Sequence, residues 1–171
     1  MKKKFVIVGH SASGKDFLLK KLIEKGLKYG PKITTRPKRD GEIDGVEYYF
    51  LENNISFLQQ HKTKEVFVIN NTEWIYIITN ENFNNNEVFI MTSGELKQLS
   101  KEDRKNCFVV YLNIDEDIRR KRLIERNSNA DSIDRRINSD KKDFENFNNY
   151  DLLITDAGFD INEIHRVFAE L

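Results

Sequence analysis

Lys15 is the residue around which chemistry can be built. It stands near the end of the run Gly9-His10-Ser11-Ala12-Ser13-Gly14-Lys15-Asp16, after the apolar Phe5-Val6-Ile7-Val8 and before a stretch with helical spacing, Phe17 to Lys25. Strand, glycine-bounded turn and helix in that order are the setting of a phosphate-binding loop, or P-loop. Such a turn aims backbone N–H groups and the positive end of the helix dipole at one anion. Gly9 and Gly14 permit torsions and close approach that a side chain hinders. Lys15 then supplies a point charge for the terminal phosphates of a nucleoside triphosphate. Every residue from Gly9 to Asp16 is therefore a candidate ATP contact. The usual pattern, G-x-x-x-x-G-K-[ST], ends in a hydroxyl that holds magnesium, and here Asp16 replaces it. A carboxylate is also a hard oxygen ligand, and the helix N-terminus stabilises its charge. Asp16 is the expected Mg2+ ligand.

A second candidate anion site lies in Thr34-Thr35-Arg36-Pro37-Lys38-Arg39-Asp40-Gly41-Glu42-Ile43-Asp44-Gly45-Val46-Glu47-Tyr48-Tyr49-Phe50. Two arginines three apart can clamp a phosphate bidentately while a glutamate holds a guanidinium. Read alone, such a charge run is more often a solvated loop. Its spacing, however, resembles the guanylate kinase signature T-T-R-x-x-R-x-G-E-x-x-G-x-x-Y-x-F at every fixed position. The likeness extends to the C-terminus. Arg122-Leu123 with Arg126, then Arg136 after Ile133, is similar to that family's lid arginines, and Tyr150-Asp151-Leu152-Leu153-Ile154 to its last strand.

The resemblance implies an ATP- and Mg2+-dependent kinase of nucleoside monophosphates, with GMP or dGMP as acceptor. It implies that Thr35, Arg36, Arg39 and Tyr48 hold the acceptor phosphate, that Glu42 supports them, and that Tyr76 adds a hydroxyl. Lys15, Arg122, Arg126 and Arg136 are then the catalytic set, converging on the transferring phosphoryl group. The nucleophile is a phosphate oxygen, already anionic, so positioning and charge neutralisation suffice and no general base is needed. Four positions depart from the family pattern besides Asp16. Lys32 falls where a serine is usual near the acceptor, Val68 where a glutamate reads guanine, and Met91 and Ser93 where two aspartates are usual. Losing buried partners of a base edge costs discrimination of about 10⁴-fold. Two alternatives follow: a kinase for another nucleoside monophosphate, or a guanylate-kinase-like module that binds phosphopeptides without transfer.

These residues need a scaffold, and 171 residues suffice for one domain with a core. Strand-like runs at 5–8, 88–91, 107–112 and 152–154 alternate with helical stretches at 17–25, 94–101, 115–126, 133–147 and 161–170. This predicts an α/β fold, a parallel sheet covered by helices on both faces. The first helix should bury Leu18, Leu19, Leu22 and Ile23. Residues 31–79 look like an inserted, mostly antiparallel subdomain with a short helix over 55–61 and a hairpin formed by 66–69 and 74–79. Asn84-Asn85-Asn86 reads as a loop. The expected division is a core of 1–30, 80–125 and 137–171, a monophosphate-binding subdomain of 31–79, and a lid of about 126–136.

Lys and Arg (28) balance Asp and Glu (28), which gives no general case for nucleic acid or membrane as partner. No run approaches the roughly 20 apolar residues of a membrane span. The single cysteine, Cys107, sits in an apolar run, and the three histidines have no metal-ligand spacing with it. A cytoplasmic protein is expected, with ATP and a nucleoside monophosphate as its partners; oligomeric state is not legible.

Overall fold

The computed structural model describes residues 3–38, 41–46, 48–51, 63–68, 75–126 and 132–170. Arg39, the expected helix at 55–61, the turn at 69–74 and residues 127–131 of the expected lid lie outside them. In chain order the first elements are β1 (Lys4–Gly9), α1 (Lys15–Glu24), β2 (Lys32–Thr34), β3 (Tyr48–Phe50), β4 (Thr63–Val68), β5 (Ile75–Thr79) and α2 (Asn80–Asn85). There follow β6 (Val88–Ile90), α3 (Ser93–Gln98), α4 (Lys101–Lys105), β7 (Cys107–Leu112), α5 (Glu116–Glu125), α6 (Ile133–Asp143), β8 (Leu152–Ile154) and α7 (Ile161–Ala169). They divide into two compact units, residues 28–87 and the remainder.

In the larger unit, β1 is buried from Phe5 to Gly9. It lies inside a four-stranded sheet of order β6-β1-β7-β8, parallel throughout, as unbroken apolar runs require. Gly9 pairs with Leu112, and Leu112 with Ile154, so three strand ends finish together beside the loop that follows β1. Helix α1 packs on β1 and β6 through Leu18, Leu19 and Leu22. Ile23 was expected on that stripe but is 42% exposed. It lies about 140° round the helix from Leu18, beyond the covered face. Phe168 of α7 meets Phe5 edge-on, with centroids 4.9 Å apart.

Two helix boundaries differ from expectation for local reasons. The single helix expected over 94–101 is two helices, because the Ser100 hydroxyl accepts the Asp103 N–H at 3.0 Å and starts α4 afresh. Helix α6 stops at Asp143 rather than Phe147, and Asn146 takes a left-handed φ of 55° in the turn that follows.

The smaller unit holds a mixed sheet of order β3-β2-β5-β4. Strands β2 and β3 are parallel, whereas β2/β5 and β4/β5 are antiparallel. The register sets Thr34 opposite both Phe50 and Tyr76. Strands β4 and β5 pair as the expected hairpin, with Val68 opposite Ile75. Of the stretch Asn84-Asn85-Asn86 expected as a loop, Asn86 is extended, but Asn84 and Asn85 form the end of α2. Its low intrinsic propensity is overcome by the Thr79 cap, whose hydroxyl accepts the Asn82 N–H at 3.0 Å, and by burial of Phe83. Among the described residues, no helix is long and apolar enough to cross a membrane.

Candidate functional site

The loop after β1 is shaped by its two glycines. A Cβ on Gly9 would stand 2.7 Å from the Leu112 carbonyl oxygen and 2.8 Å from Ser13 Oγ, so no side chain fits. Gly14 has φ 103° and forms the N-cap of α1, where no side chain satisfies the first-turn N–H groups. Those donors point out of the helix end, ready for an anion. Ser13 N–H closes the turn on the His10 carbonyl at 3.3 Å.

Lys15 folds back across this loop. Its Nζ donates to the carbonyls of Gly9 at 2.8 Å and His10 at 2.7 Å. Burial lowers its pKa, while the carboxylates of Asp16 and Asp140 oppose that shift. Asp16 is exposed in the first turn of α1. No group of three His, Cys, Asp or Glu able to hold a metal occurs among the described residues. One exposed carboxylate beside the uncapped end of α1 fits Mg2+, a cation that keeps several waters and is bound through one or two carboxylates plus phosphate oxygens.

Helices α5 and α6 meet this loop. Arg122 Nη1 donates to the Ala12 carbonyl at 3.1 Å. Arg126, at the C-terminal cap of α5, adds its positive charge to the field at Lys15. Arg136 lies in the first turns of α6, half-buried. Asp140 of α6 accepts two hydrogen bonds from Ser11, from its N–H at 2.7 Å and its hydroxyl at 3.1 Å. The same carboxylate pairs with buried Arg119 of α5 at 3.4 Å. His10 is buried against Phe144 and Tyr111, with centroids 4.5 and 5.8 Å away. Burial, then the charges of Arg119 and Lys15, lower its pKa from 6.5 to about 4.

The smaller unit carries the second cluster. Arg36 is 3% exposed and donates to Glu42 Oε1 and to the Pro37 carbonyl, each at 2.7 Å. Its guanidinium lies 5.4 Å from the ring centroids of both Tyr48 and Phe50. Tyr76, level with Phe50 across β2, also stands edge-on to Tyr48, with centroids 5.6 Å apart. Burial pulls the Arg36 pKa down, but the Glu42 hydrogen bond and the partnership of Tyr76 and Glu42 leave it raised overall. Arg36 is thus a permanent, well-oriented cation held ready on one side by Glu42. Thr35 is buried beside it in sequence, and Thr34 Oγ1 accepts the Arg36 N–H at 3.1 Å.

The family model described as guanylate kinase matches residues 1–170. The chain belongs to the guanylate kinase family. It is 28% identical, over an alignment of 183 positions with gaps, to the guanylate kinase of Hydrogenovibrio crunogenus, covering 96% of this chain and 85% of that one. Against the guanylate kinase of Symbiobacterium thermophilum it is 48% identical over 48 residues, which span 27% of this chain but only 23% of that protein. The crystal structure of guanylate kinase from Anaplasma phagocytophilum superposes with a TM-score of 0.68 at 17% identity, over 99% of this chain and 85% of that one. At that identity the likeness is one of fold. Membership makes this chain part of a nucleotide-binding transferase family with a P-loop kinase architecture.

Of the positions that depart from the guanylate kinase pattern, Lys32, Met91 and Ser93 have defined surroundings, while the side chain of Val68 lies outside the described part. Met91 is 1% exposed and belongs to the core. The Ser93 hydroxyl donates to the Asp143 carbonyl at 2.5 Å. Between them Thr92 caps α3 in a reciprocal pair with Glu95, whose carboxylate accepts the Thr92 N–H at 2.5 Å. Lys32 is buried on β2 opposite Tyr48. The guanylate kinase signature does not include Arg119 or Asp140, and the sequence reading passed over both. Their signal was weak but present. Arg119 precedes Arg122 by three residues and Asp140 follows Arg136 by four, so each shares a helix face with a predicted arginine.

Proposed function

We propose that the protein transfers the γ-phosphoryl group of ATP to a nucleoside monophosphate, with GMP or dGMP as acceptor. The observation that carries this reading is Lys15 lying across a glycine-shaped loop at the uncapped N-terminus of α1. In this reading the α1 N–H groups and Lys15 hold the ATP phosphates, and Lys15 exchanges its two carbonyl partners for phosphate oxygens. Asp16 holds Mg2+, which neutralises phosphate charge when bound. Arg122, Arg126 and Arg136 stabilise the charge of the transferring group. Arg36, steadied by Glu42, grips the acceptor phosphate together with Thr35, Tyr48, Tyr76 and Arg39. The acceptor oxygen attacks the γ-phosphorus, the bond from that phosphorus to the bridging oxygen breaks, and ADP leaves. Residues 31–79, within the compact unit 28–87, serve as the monophosphate-binding subdomain and about 126–136 as the lid.

Met91 in the core and Ser93 engaged by Asp143 favour a second reading, the same transfer to a different base. A coupled assay with ATP and Mg2+ across GMP, dGMP, AMP, CMP, UMP and dTMP separates the two. Turnover strongest on GMP or dGMP is expected. Turnover of another nucleotide alone replaces the acceptor, and turnover of none, with no ATP binding by calorimetry, sinks the kinase reading in favour of a binding module.

A further inference from the structure

We infer that Asp140 is a positioning residue for phosphoryl transfer, tying the P-loop to the helices that carry the lid-side arginines; the inference rests on the kinase reading above. Asp140 is 8% exposed and its two oxygens have separate tasks. Oδ2 accepts the Ser11 N–H at 2.7 Å and pairs with Arg119 at 3.4 Å, while Oδ1 accepts the Ser11 hydroxyl at 3.1 Å. Arg119, 4% exposed, is itself held through Nε by the Ile114 carbonyl at 2.8 Å. One carboxylate therefore joins the loop, α5 and α6.

The apolar contacts join the same three pieces. Ala12 of the loop, Leu123 of α5 and Ile137 of α6 form one buried cluster, with Ile133 packed against it. Arg122 shares a face of α5 with Arg119, and Arg136 lies one turn before Asp140 on α6. Shifting Asp140 thus shifts Arg136 relative to the loop, and shifting Arg119 shifts Arg122. Stability alone does not call for this arrangement, because a buried ion pair is often no better than apolar residues of equal volume. What it confers is a set of distances among charges before the substrates arrive, and misplacement by about 1 Å can cost transfer about 10²-fold.

The test compares wild type with Asp140→Ala, Asp140→Asn and Ser11→Ala. The readouts are kcat and both KM values, together with amide hydrogen exchange of residues 10–16 in the nucleotide-free protein. Asp140→Ala is expected to speed exchange at Ser11 and to lower kcat by about 10-fold or more, with acceptor KM changed by no more than about twofold. Asp140→Asn keeps an acceptor for the Ser11 N–H and should recover part of kcat. Ser11→Ala removes only the hydroxyl bond, and should show a smaller loss of kcat even if Asp140→Ala fails to fold. Unaltered exchange at Ser11, or wild-type kcat in Asp140→Asn and Ser11→Ala alike, overturns the inference. If the wild type transfers phosphate to no nucleotide, the kinase reading fails by itself, and the exchange comparison still decides whether Asp140 holds the loop.

Discussion

Lys15 and Arg36 are both cations with restrained side chains, and their removal should have different kinetic signatures. Lys15→Ala is expected to lower kcat by about 10²-fold or more, as loss of preorganised charge does. Near-normal turnover in steady-state assays would show that the loop has been misread. Arg36→Ala removes a charged hydrogen-bonding group worth about 1.5–3 kcal/mol and should raise the acceptor KM by about 10- to 100-fold. The KM for ATP should move far less, and an equal rise in both would contradict the acceptor role. His10 makes a prediction about stability. Its pKa is about 4 when folded and 6.5 when unfolded, so between those values the unfolded chain binds a proton that the folded chain refuses. Its contribution is complete above pH 6.5 and is lost as pH falls toward 4, a loss of about 3 kcal/mol. Denaturant titrations from pH 7 to 4 should show a flatter decline for His10→Gln than for wild type, and parallel curves would refute this.

At the scale of elements, the N-terminus of α1 depends on a torsion rather than on a side-chain cap. A Cβ on Gly14 would meet Phe159 at 3.6 Å, an ordinary contact, so the cost of adding one is almost wholly the φ of 103°. Gly14→Ala should therefore destabilise by about 1–3 kcal/mol and weaken ATP binding, because the strained backbone bears the phosphate donors. Thermal unfolding and calorimetry check the two effects together, and a variant as stable as wild type would mean that the loop relaxes freely. The local grammar of this chain was legible at several such ends. Asp115 caps α5 as its position suggests, its carboxylate accepting the Asp117 N–H at 2.9 Å. The helix ending at Asn84 and Asn85 was not legible, since it depends on where Phe83 is buried.

For the whole molecule, the division into residues 28–87 and the remainder gives each substrate its own expected footprint. ATP with Mg2+ at about 100 times its Kd should stabilise the protein by about 2.7 kcal/mol. Hydrogen exchange should then slow chiefly in 1–27 and 88–171, around the loop and helices α5 and α6. A nucleoside monophosphate alone should slow exchange chiefly around Arg36, Tyr48 and Tyr76. Protection by ATP confined to residues 28–87 would reverse the assignment of the two sites.

Most of the scaffold and both clusters follow from local sequence. Apolar runs at 5–8 and 107–112, short and rich in valine and aromatic residues, fit strands buried on both sides, and glycines at 9 and 14 fit a turn whose torsions disfavour other residues. Arg36 and Glu42 lie six residues apart, close enough for their pairing to be read directly. What the tertiary structure alone decided has the opposite character. Ser11 and Asp140 are separated by 129 residues, and nothing in either local stretch announces that they touch. Whether a carboxylate on α6 meets solvent, a metal or the P-loop depends on how that helix packs, and packing is settled by the whole core at once. The same holds for Ser93, whose hydroxyl meets the Asp143 carbonyl 50 residues away. The sequence by itself marked where phosphates are expected to bind; the tertiary structure decided which buried charges lie against that loop.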